Sequence, residues 1–205
     1  MSGELQKKNK LLIIGGSGNL GKALKNDNFF KKSYFPSKRK LNLLKKSQIE
    51  KFLSKNTINI IINTAALARM KDCENNKSLA YRINVIGCKN LVEIIKSRNK
   101  NIKLIHISTD GVYPSLNGNY KETSKLKPYN YYGKTKLHAE KIVKKLENFL
   151  IIRTRFFNKN KIKFKTAATD SYSSALEVGS LVNTIKLLIK KNIFGILNVG
   201  GKRVS

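Results

Sequence analysis

Short apolar runs alternate with longer segments of helical periodicity along most of the chain. The runs predict buried strands, because consecutive aliphatic residues suit a strand that is covered on both faces. The predicted strands are 11–14, 58–63, 103–108, 149–153 and 194–199, with a weaker one at Tyr34-Phe35. The segments with apolar residues every third or fourth position predict helices at 20–26, 41–55, 76–98, 131–146 and 180–191. This alternation predicts an α/β fold, a Rossmann-type doubly wound parallel sheet with helices on both faces.

The first predicted strand runs directly into a glycine-rich loop, Gly15-Gly16-Ser17-Gly18-Asn19-Leu20-Gly21. In this position the first glycine permits a tight turn, the second lets the backbone approach a pyrophosphate, and the third allows close helix–strand packing. The helix that follows directs its N–H groups and its positive dipole end at the phosphates. The loop therefore predicts a dinucleotide-binding site.

The chain has no acidic residue where a second strand usually supplies one to the ribose 2′-hydroxyl of NAD. It has Ser37-Lys38-Arg39-Lys40 instead. Basic side chains such as Lys38 and Arg39 suit a 2′-phosphate, so the sequence favours NADP, with NAD as the open alternative.

A second motif, Tyr132-x-x-x-Lys136, falls on the predicted helix 131–146. The spacing places both side chains on one helix face. We expect the ammonium to lower the pKa of the phenol and so to suit it for acid–base catalysis. Ser108-Thr109-Asp110 ends the third strand, at the sheet edge where such folds bind ligands. A hydroxyl there could hydrogen-bond a carbonyl oxygen, and Asp110 could contact substrate or cap the following loop.

The net charge of +30, from 42 Lys+Arg against 12 Asp+Glu, raises nucleic acid as a partner. The lysines occur in every segment rather than in one patch, so a solvated basic surface is the favoured interpretation. One stretch, 159–165, alternates lysine with other residues and predicts an exposed edge strand.

Cysteine and histidine content argues against metal or disulfide sites. Cys73 and Cys88 lack the spacing of a zinc site or a disulfide framework, and His106 and His138 have no paired ligand, so no metal is expected. No signal peptide and no membrane-length apolar stretch are recognised. We therefore expect a cytoplasmic protein with neither a membrane nor a nucleic-acid partner.

Taken in order, these motifs resemble the extended branch of the short-chain dehydrogenase/reductase superfamily, and within it the dTDP-4-dehydrorhamnose reductase family. The matching segments are Asn63-Thr64-Ala65-Ala66, 80–91, Ser108-Thr109-Asp110 and 128–140, with a fainter match at Ile151-Ile152-Arg153-Thr154. The resemblance covers about 11–154.

The resemblance implies an NADP-dependent reductase that transfers a hydride to the 4-keto group of a nucleotide-linked deoxysugar. Tyr132 would protonate the alkoxide, Lys136 would hold the nicotinamide ribose, and Thr109 would orient the carbonyl. The segment with Asn63, Ala65 and Ala66 would line the cofactor groove. Asp110 and Arg153 are the candidate substrate-binding residues, and the partners would be a nucleotide sugar and a second copy in a possible homodimer.

The later part of the chain departs from the family pattern. Gly111 replaces an aromatic residue, and the segment after Phe157 is short. We therefore expect a nucleotide-binding domain at 1–157 and a shortened, truncated substrate-binding region at 158–205. Two alternatives stay open, another nucleotide-sugar activity such as an epimerase or dehydratase, and a non-catalytic NAD(P)-binding subunit.

Overall fold

The computed structural model describes residues 10–98, 101–115, 118–161 and 174–201. Its central feature is a five-stranded sheet in the order β1-β2-β3-β4-β7, with every neighbouring pair parallel. The strands of this sheet are β1 (Leu11–Ile14), β2 (Ile60–Asn63), β3 (Lys103–Thr109), β4 (Phe149–Thr154) and β7 (Gly195–Val199). A separate two-stranded pair joins β5 (Phe156–Phe157) to β6 (Leu176–Glu177). The predicted parallel α/β sheet is confirmed.

Helices cover both faces of this sheet. In chain order they are α1 (Asn19–Asn26), α2 (Lys46–Lys55), α3 (Met70–Asn75), α4 (Lys77–Tyr81), α5 (Gly87–Ser97), α6 (Tyr131–Val143) and α7 (Val178–Lys190). Strand residues alternate between two apolar clusters, so that Leu12 packs with α2, α5 and α6 while Ile13 packs with α1 and α7. This alternation follows from the two-residue period of a strand.

The single long helix expected at 76–98 is divided into α4, a π-helical segment (Arg82–Ile86) and α5. π-Helical turns inside helices occur frequently at functional sites. Asn84 lies in this segment and is buried, and its side chain bonds both backbone groups of Leu67 and the hydroxyl of Thr135 on α6. The segment thus ties the loop after β2 to α6.

Two other expectations change. The weak strand at Tyr34-Phe35 is reduced to a single bridge, in which Tyr34 pairs with Leu12 on the outer edge of β1. The edge strand expected at 159–165 is wrong in its first residues, because Lys159–Lys161 form a turn of 3₁₀ helix. The remainder of that stretch lies outside the described residues.

The bridge at Tyr34 marks a reversal of the strand order beside β1. The chain leaves β1 on one side to reach Tyr34 and later returns to the other side to form β2. A crevice at the carboxyl ends of the strands, at such a reversal of strand order, is the usual ligand site of open α/β sheets.

Beyond Phe157, α7 and β7 continue the same architecture. β7 pairs with β4, and the apolar face of α7 joins the cluster that contains β1 and α1. The division predicted after Phe157 therefore does not separate two sheets or two cores among the described residues. Residues 162–173, which belong to the region expected to form a shortened substrate pocket at 158–205, lie outside them.

Candidate active site

A cleft of about 450 Å³ opens at the carboxyl edge of the sheet, between the glycine loop and the start of α6. Its volume lies in the range of small-molecule and cofactor sites. It is lined by Gly18, Asn19, Leu20, Gly21, Thr64, Ala66, Ala68, Met70, Ile107, Ser108, Thr109, Asp110, Gly111, Tyr129, Asn130, Tyr132, Lys136, Thr154, Arg155 and Phe156.

The glycine loop has the shape that close approach to a ligand requires. Gly15 adopts φ +91°, and a Cβ on Gly21 would lie 2.3 Å from the Gly15 carbonyl oxygen. Gly18 is the N-cap of α1 and offers no side chain to cap it. The positive end of the α1 dipole therefore faces the cleft through bare backbone, an arrangement suited to phosphate oxygens.

The structure brings most of the predicted cofactor residues to the cleft, but not all. Gly18, Asn19, Leu20, Gly21 and Ala66 line it together with Tyr132 and Lys136. Gly15, Ser17, Asn63 and Ala65 stand behind or beside the lining, with Ser17 exposed in the loop and Asn63 buried.

Lys38 and Arg39 are exposed in the turn that follows Tyr34. Tyr34 pairs along the outer edge of β1. The turn therefore follows the short segment at Tyr34 that pairs with β1, where the sequence placed the cofactor-selecting residues. Neither side chain lines the cleft.

Thr109 ends β3 and is held by its own loop. Its hydroxyl accepts the Gly111 N–H at 3.1 Å and donates to Asp110 Oδ1 at 3.2 Å. The other carboxylate oxygen of Asp110 pairs with Arg155 Nε at 2.9 Å. The three polar groups form a chain across the mouth of the cleft.

Arg155 is a cleft residue that sequence reasoning missed. Its backbone is fixed because its carbonyl accepts the N–H of Leu176, next to the β5–β6 pair. None of the motifs in the sequence includes this position, so no local signal pointed to it.

Arg153 is a correction. It is buried, its Nη2 lies 2.7 Å from Glu140 Oε2, and its Nη1 donates to the Tyr113 hydroxyl at 2.7 Å. A guanidinium buried in this way has its donors committed within the protein, and Arg153 does not line the cleft. Its place in β4 points it towards α6 rather than towards a substrate.

Tyr132 is half-buried at the cleft, in the first turn of α6. Burial, with smaller contributions from Cys73 and Asp110, raises the pKa of its phenol above its ordinary value. In the chain alone the expected lowering by Lys136 is therefore not found. A raised pKa keeps the phenol protonated at neutral pH, which suits a proton donor.

Lys136 lies one turn further along α6 and is only 2% exposed. Its Nζ donates to the Ile107 carbonyl at 2.6 Å and lies 3.0 Å from His106 Nε2. Burial lowers the pKa of Lys136 to about 8. His106, for which the sequence indicated no paired metal ligand, is thus in direct contact with a candidate catalytic group.

The described residues contain no cluster of three or more His, Cys, Asp or Glu side chains arranged to hold a metal ion. No helix among them combines the length and the apolar character that crossing a bilayer requires.

Comparison with known families gives one match, to the RmlD substrate binding domain, over residues 9–172. Among curated proteins, the chain is 33% identical over 150 residues to the dTDP-4-dehydrorhamnose reductase of Aggregatibacter actinomycetemcomitans, which covers 71% of this chain and 50% of that protein. It is 32% identical over 151 residues to methionine adenosyltransferase 2 subunit beta of Bos taurus, covering 69% and 44% respectively. The chain spans about half the length of these curated relatives.

Solved structures agree with the fold. The dTDP-4-dehydrorhamnose reductase of Bacillus anthracis, determined in complex with NADP, superposes with a TM-score of 0.86 at 28% identity. The match covers 94% of this chain and 74% of that one. A reductase of the same description from Clostridium acetobutylicum gives a TM-score of 0.84 at 26% identity, over 93% and 74% of the two chains.

Proposed function

Because the chain belongs to the RmlD substrate binding domain family, we propose that it is an NADP-dependent reductase of a nucleotide-linked 4-keto-6-deoxysugar. The observation that carries the proposal is the convergence of the glycine loop, Thr109, Tyr132 and Lys136 on one cleft. These groups come from three separate segments of the chain, and a protein that only binds a nucleotide has no need of a proton donor such as Tyr132.

The residues of the cleft fit a dinucleotide cofactor. Gly21 approaches Gly15 so closely that no Cβ would fit between them, which gives the tight turn of a phosphate loop. The start of α1, which has no side-chain cap, offers a phosphate site. Lys38 and Arg39, exposed after Tyr34, would meet a 2′-phosphate, which supports NADP over NAD. When bound, the reduced nicotinamide supplies the hydride.

The side chains of this chain would then handle the carbonyl and the proton. Thr109 would donate a hydrogen bond to the keto oxygen, for which its hydroxyl turns away from Asp110 Oδ1, the acceptor that it has in the free chain. As the carbonyl carbon accepts the hydride, the oxygen takes the phenolic proton of Tyr132, and an alcohol and a phenolate result. A protonated Lys136 stabilises that phenolate from the same helix face.

The test is the oxidation of NADPH by purified protein supplied with dTDP-4-dehydrorhamnose. We expect turnover in the native chain and a loss of about 10²- to 10⁴-fold in kcat in Tyr132→Phe, the usual contribution of a positioned acid. Tyr131→Phe removes a neighbouring phenol from the same helix and serves as the matched control. Equal rates for Tyr132→Phe and the native chain would refute the assignment.

A second candidate function is favoured by one finding, the similarity to a subunit of methionine adenosyltransferase 2. On that hypothesis the chain binds NADP as a non-catalytic subunit. Saturable NADPH binding without turnover of any 4-keto-sugar nucleotide would favour it, and turnover would exclude it as the sole function.

We also propose a cytoplasmic location and a homodimer. Cys73 and Cys88 are both free thiols, which supports a reducing compartment. Leu79 and Tyr81 on α4 are large apolar side chains more than a third exposed, which supports a contact with a second copy. Light scattering of the purified chain tests the second proposal.

A further inference from the structure

His106 has no role in the proposed reaction, yet it contacts the lysine that does. It lies in β3, fully buried, with Nε2 3.0 Å from Lys136 Nζ and Nδ1 3.4 Å from Asn63 Nδ2. Asn63 in turn ends β2 and is buried. The positions of the hydrogen atoms along the contacts Asn63–His106–Lys136 indicate which charge state of Lys136 fits.

The orientation of Asn63 is fixed by a backbone group. Its Oδ1 accepts the N–H of Ala65 at 3.1 Å, and a backbone N–H can only donate. The amide NH₂ of Asn63 is therefore the group that faces His106 Nδ1. Because an NH₂ group can only donate, Nδ1 carries a lone pair, and the neutral ring has its proton on Nε2.

The Nε2–H bond of His106 consequently points at Lys136 Nζ. An ammonium group has three donors and no acceptor, so it would meet this N–H donor to donor at 3.0 Å. A neutral amine accepts the Nε2–H bond with its lone pair and still donates to the Ile107 carbonyl. The geometry is consistent with the amine and not with the ammonium.

Cys88 and Glu140 raise the pKa of Lys136, but burial has the larger effect and lowers it overall. The titratable groups that face Lys136 are His106 from β3, Cys88 from α5, and Glu140 from its own helix. The Glu140 carboxylate is committed to Arg153 of β4 at 2.7 Å, with both side chains 1% exposed. Burial also lowers the pKa of Lys136 to about 8 and holds that of His106 well below its usual value.

We propose that His106 is a positioning residue that favours the neutral amine of Lys136, and that NADPH binding draws a proton from solvent onto those Lys136 side chains that are neutral before binding. The inference rests on the proposed function, since it concerns the same cofactor cleft. The proton adds to the Nζ lone pair, and no other bond forms or breaks. Once protonated, Lys136 Nζ has no lone pair to accept the Nε2–H bond of His106. It then donates into the cleft that it lines.

The experiment is calorimetric titration of NADPH into the full chain, in buffers of different ionisation enthalpy, at pH 7 and pH 8.5. With a pKa of about 8, the linkage relation gives an uptake of about 0.1 proton at pH 7 and about 0.75 at pH 8.5. At pH 8.5 a 2′-phosphate is fully ionised, so its own titration does not contribute. No proton uptake at pH 8.5, with NADPH bound, would overturn the inference.

Variants assign the proton to its site. Lys136→Met should abolish the uptake, and His106→Gln should reduce it, because a glutamine carbonyl can accept from an ammonium and lets Lys136 hold its proton beforehand. The chain has two histidines, and His138→Gln, on the exposed side of α6, is the matched control that should leave the uptake unchanged. Uptake that persists in Lys136→Met would also overturn the inference.

A measurement on the chain alone separates this inference from the proposed function. NMR of labelled lysine side chains, with the Lys136 signal identified by its loss in Lys136→Met, should show a titration midpoint near pH 8 that moves upward in His106→Gln. If NADPH does not bind, the proposed function fails while this midpoint still decides the inference. A midpoint at the ordinary value for lysine would overturn it.

Discussion

The ion pair between Glu140 and Arg153 should be the most sensitive point of the fold, and Glu140→Gln tests it. The substitution keeps the shape of the side chain and an oxygen that can accept from Ser108, whose hydroxyl lies 2.5 Å from Glu140 Oε1. It leaves the Arg153 guanidinium charged and buried, with both side chains of the native pair 1% exposed. What is lost is therefore the negative charge rather than packing.

The expected loss of stability in Glu140→Gln follows from the contacts that Arg153 keeps. Removing one partner of a buried ion pair costs about 3–5 kcal/mol, because the other charge is left uncompensated. Arg153 retains the Tyr113 hydroxyl and the Glu122 carbonyl, so we expect the lower end, about 3 kcal/mol. In a chain of this length each kcal/mol lowers Tm by about 2–4 °C, which gives a decrease of roughly 6–12 °C.

Urea and thermal unfolding of the purified variants measure this loss. Glu93→Gln, in the exposed pair with Lys46 at 2.7 Å, is the matched control and should change stability little, because solvent screens the pair. The double variant Glu140→Leu with Arg153→Met should lose less stability than Glu140→Gln alone, since it removes both charges of the buried pair. If Glu140→Gln were no less stable than Glu93→Gln, the reasoning would be refuted.

Three further predictions follow from the site. Gly21→Ala places a Cβ 2.3 Å from the Gly15 oxygen, so we expect overpacking of about 1–3 kcal/mol in urea unfolding together with weaker NADPH binding. The pKa of the buried Lys136 is lowered to about 8 in the folded chain, so the native chain should lose roughly 3 kcal/mol of stability as pH falls from about 10.5 to about 8. Lys136→Met should not show this loss and should gain stability relative to the native chain over the same range. The double variant Lys38→Ala with Arg39→Ala should bind NADPH about tenfold more weakly in calorimetry and leave NADH binding unchanged, because it removes contacts to a 2′-phosphate.

Each of these has its control. In Gly18→Ala the new Cβ would lie 3.4 Å from the nearest atom outside its chain neighbours, so binding should weaken without a loss of stability; an equal loss in both glycine variants would contradict the packing argument. Lys31→Ala with Lys32→Ala removes the same charge elsewhere on the surface, and an equal effect on NADPH would show general attraction instead of a selector. A parallel pH dependence in the native chain and Lys136→Met would contradict the depressed pKa.

The local pattern of the sequence was sufficient for the fold and for the outline of the site. The apolar runs predicted the strands of the sheet, and the glycines between β1 and α1 predicted a phosphate loop. Both predictions were possible because a strand buried on both faces and a tight phosphate turn each have a short local signature. The spacing of Tyr132 and Lys136 was enough to place them on one helix face.

Other features were misjudged because they depend on contacts between distant segments. Arg153 was predicted to bind substrate, but Glu140 on α6 holds it in the core. His106 and Ser108 alternate on the face of β3 that α6 covers, and this two-residue period was the only signal that they would meet Lys136 and Glu140.

The sequence by itself determined which residues could carry chemistry, because residue type and short spacing set what a side chain can donate or accept. Only the tertiary structure decided which of them face the cleft and in what protonation state. That decision depends on burial and on partners from β2, β3 and β4 that are tens of residues apart. The pKa of Lys136 is the clearest case, since it is lowered by burial of the side chain between α6 and β3, which no local motif encodes.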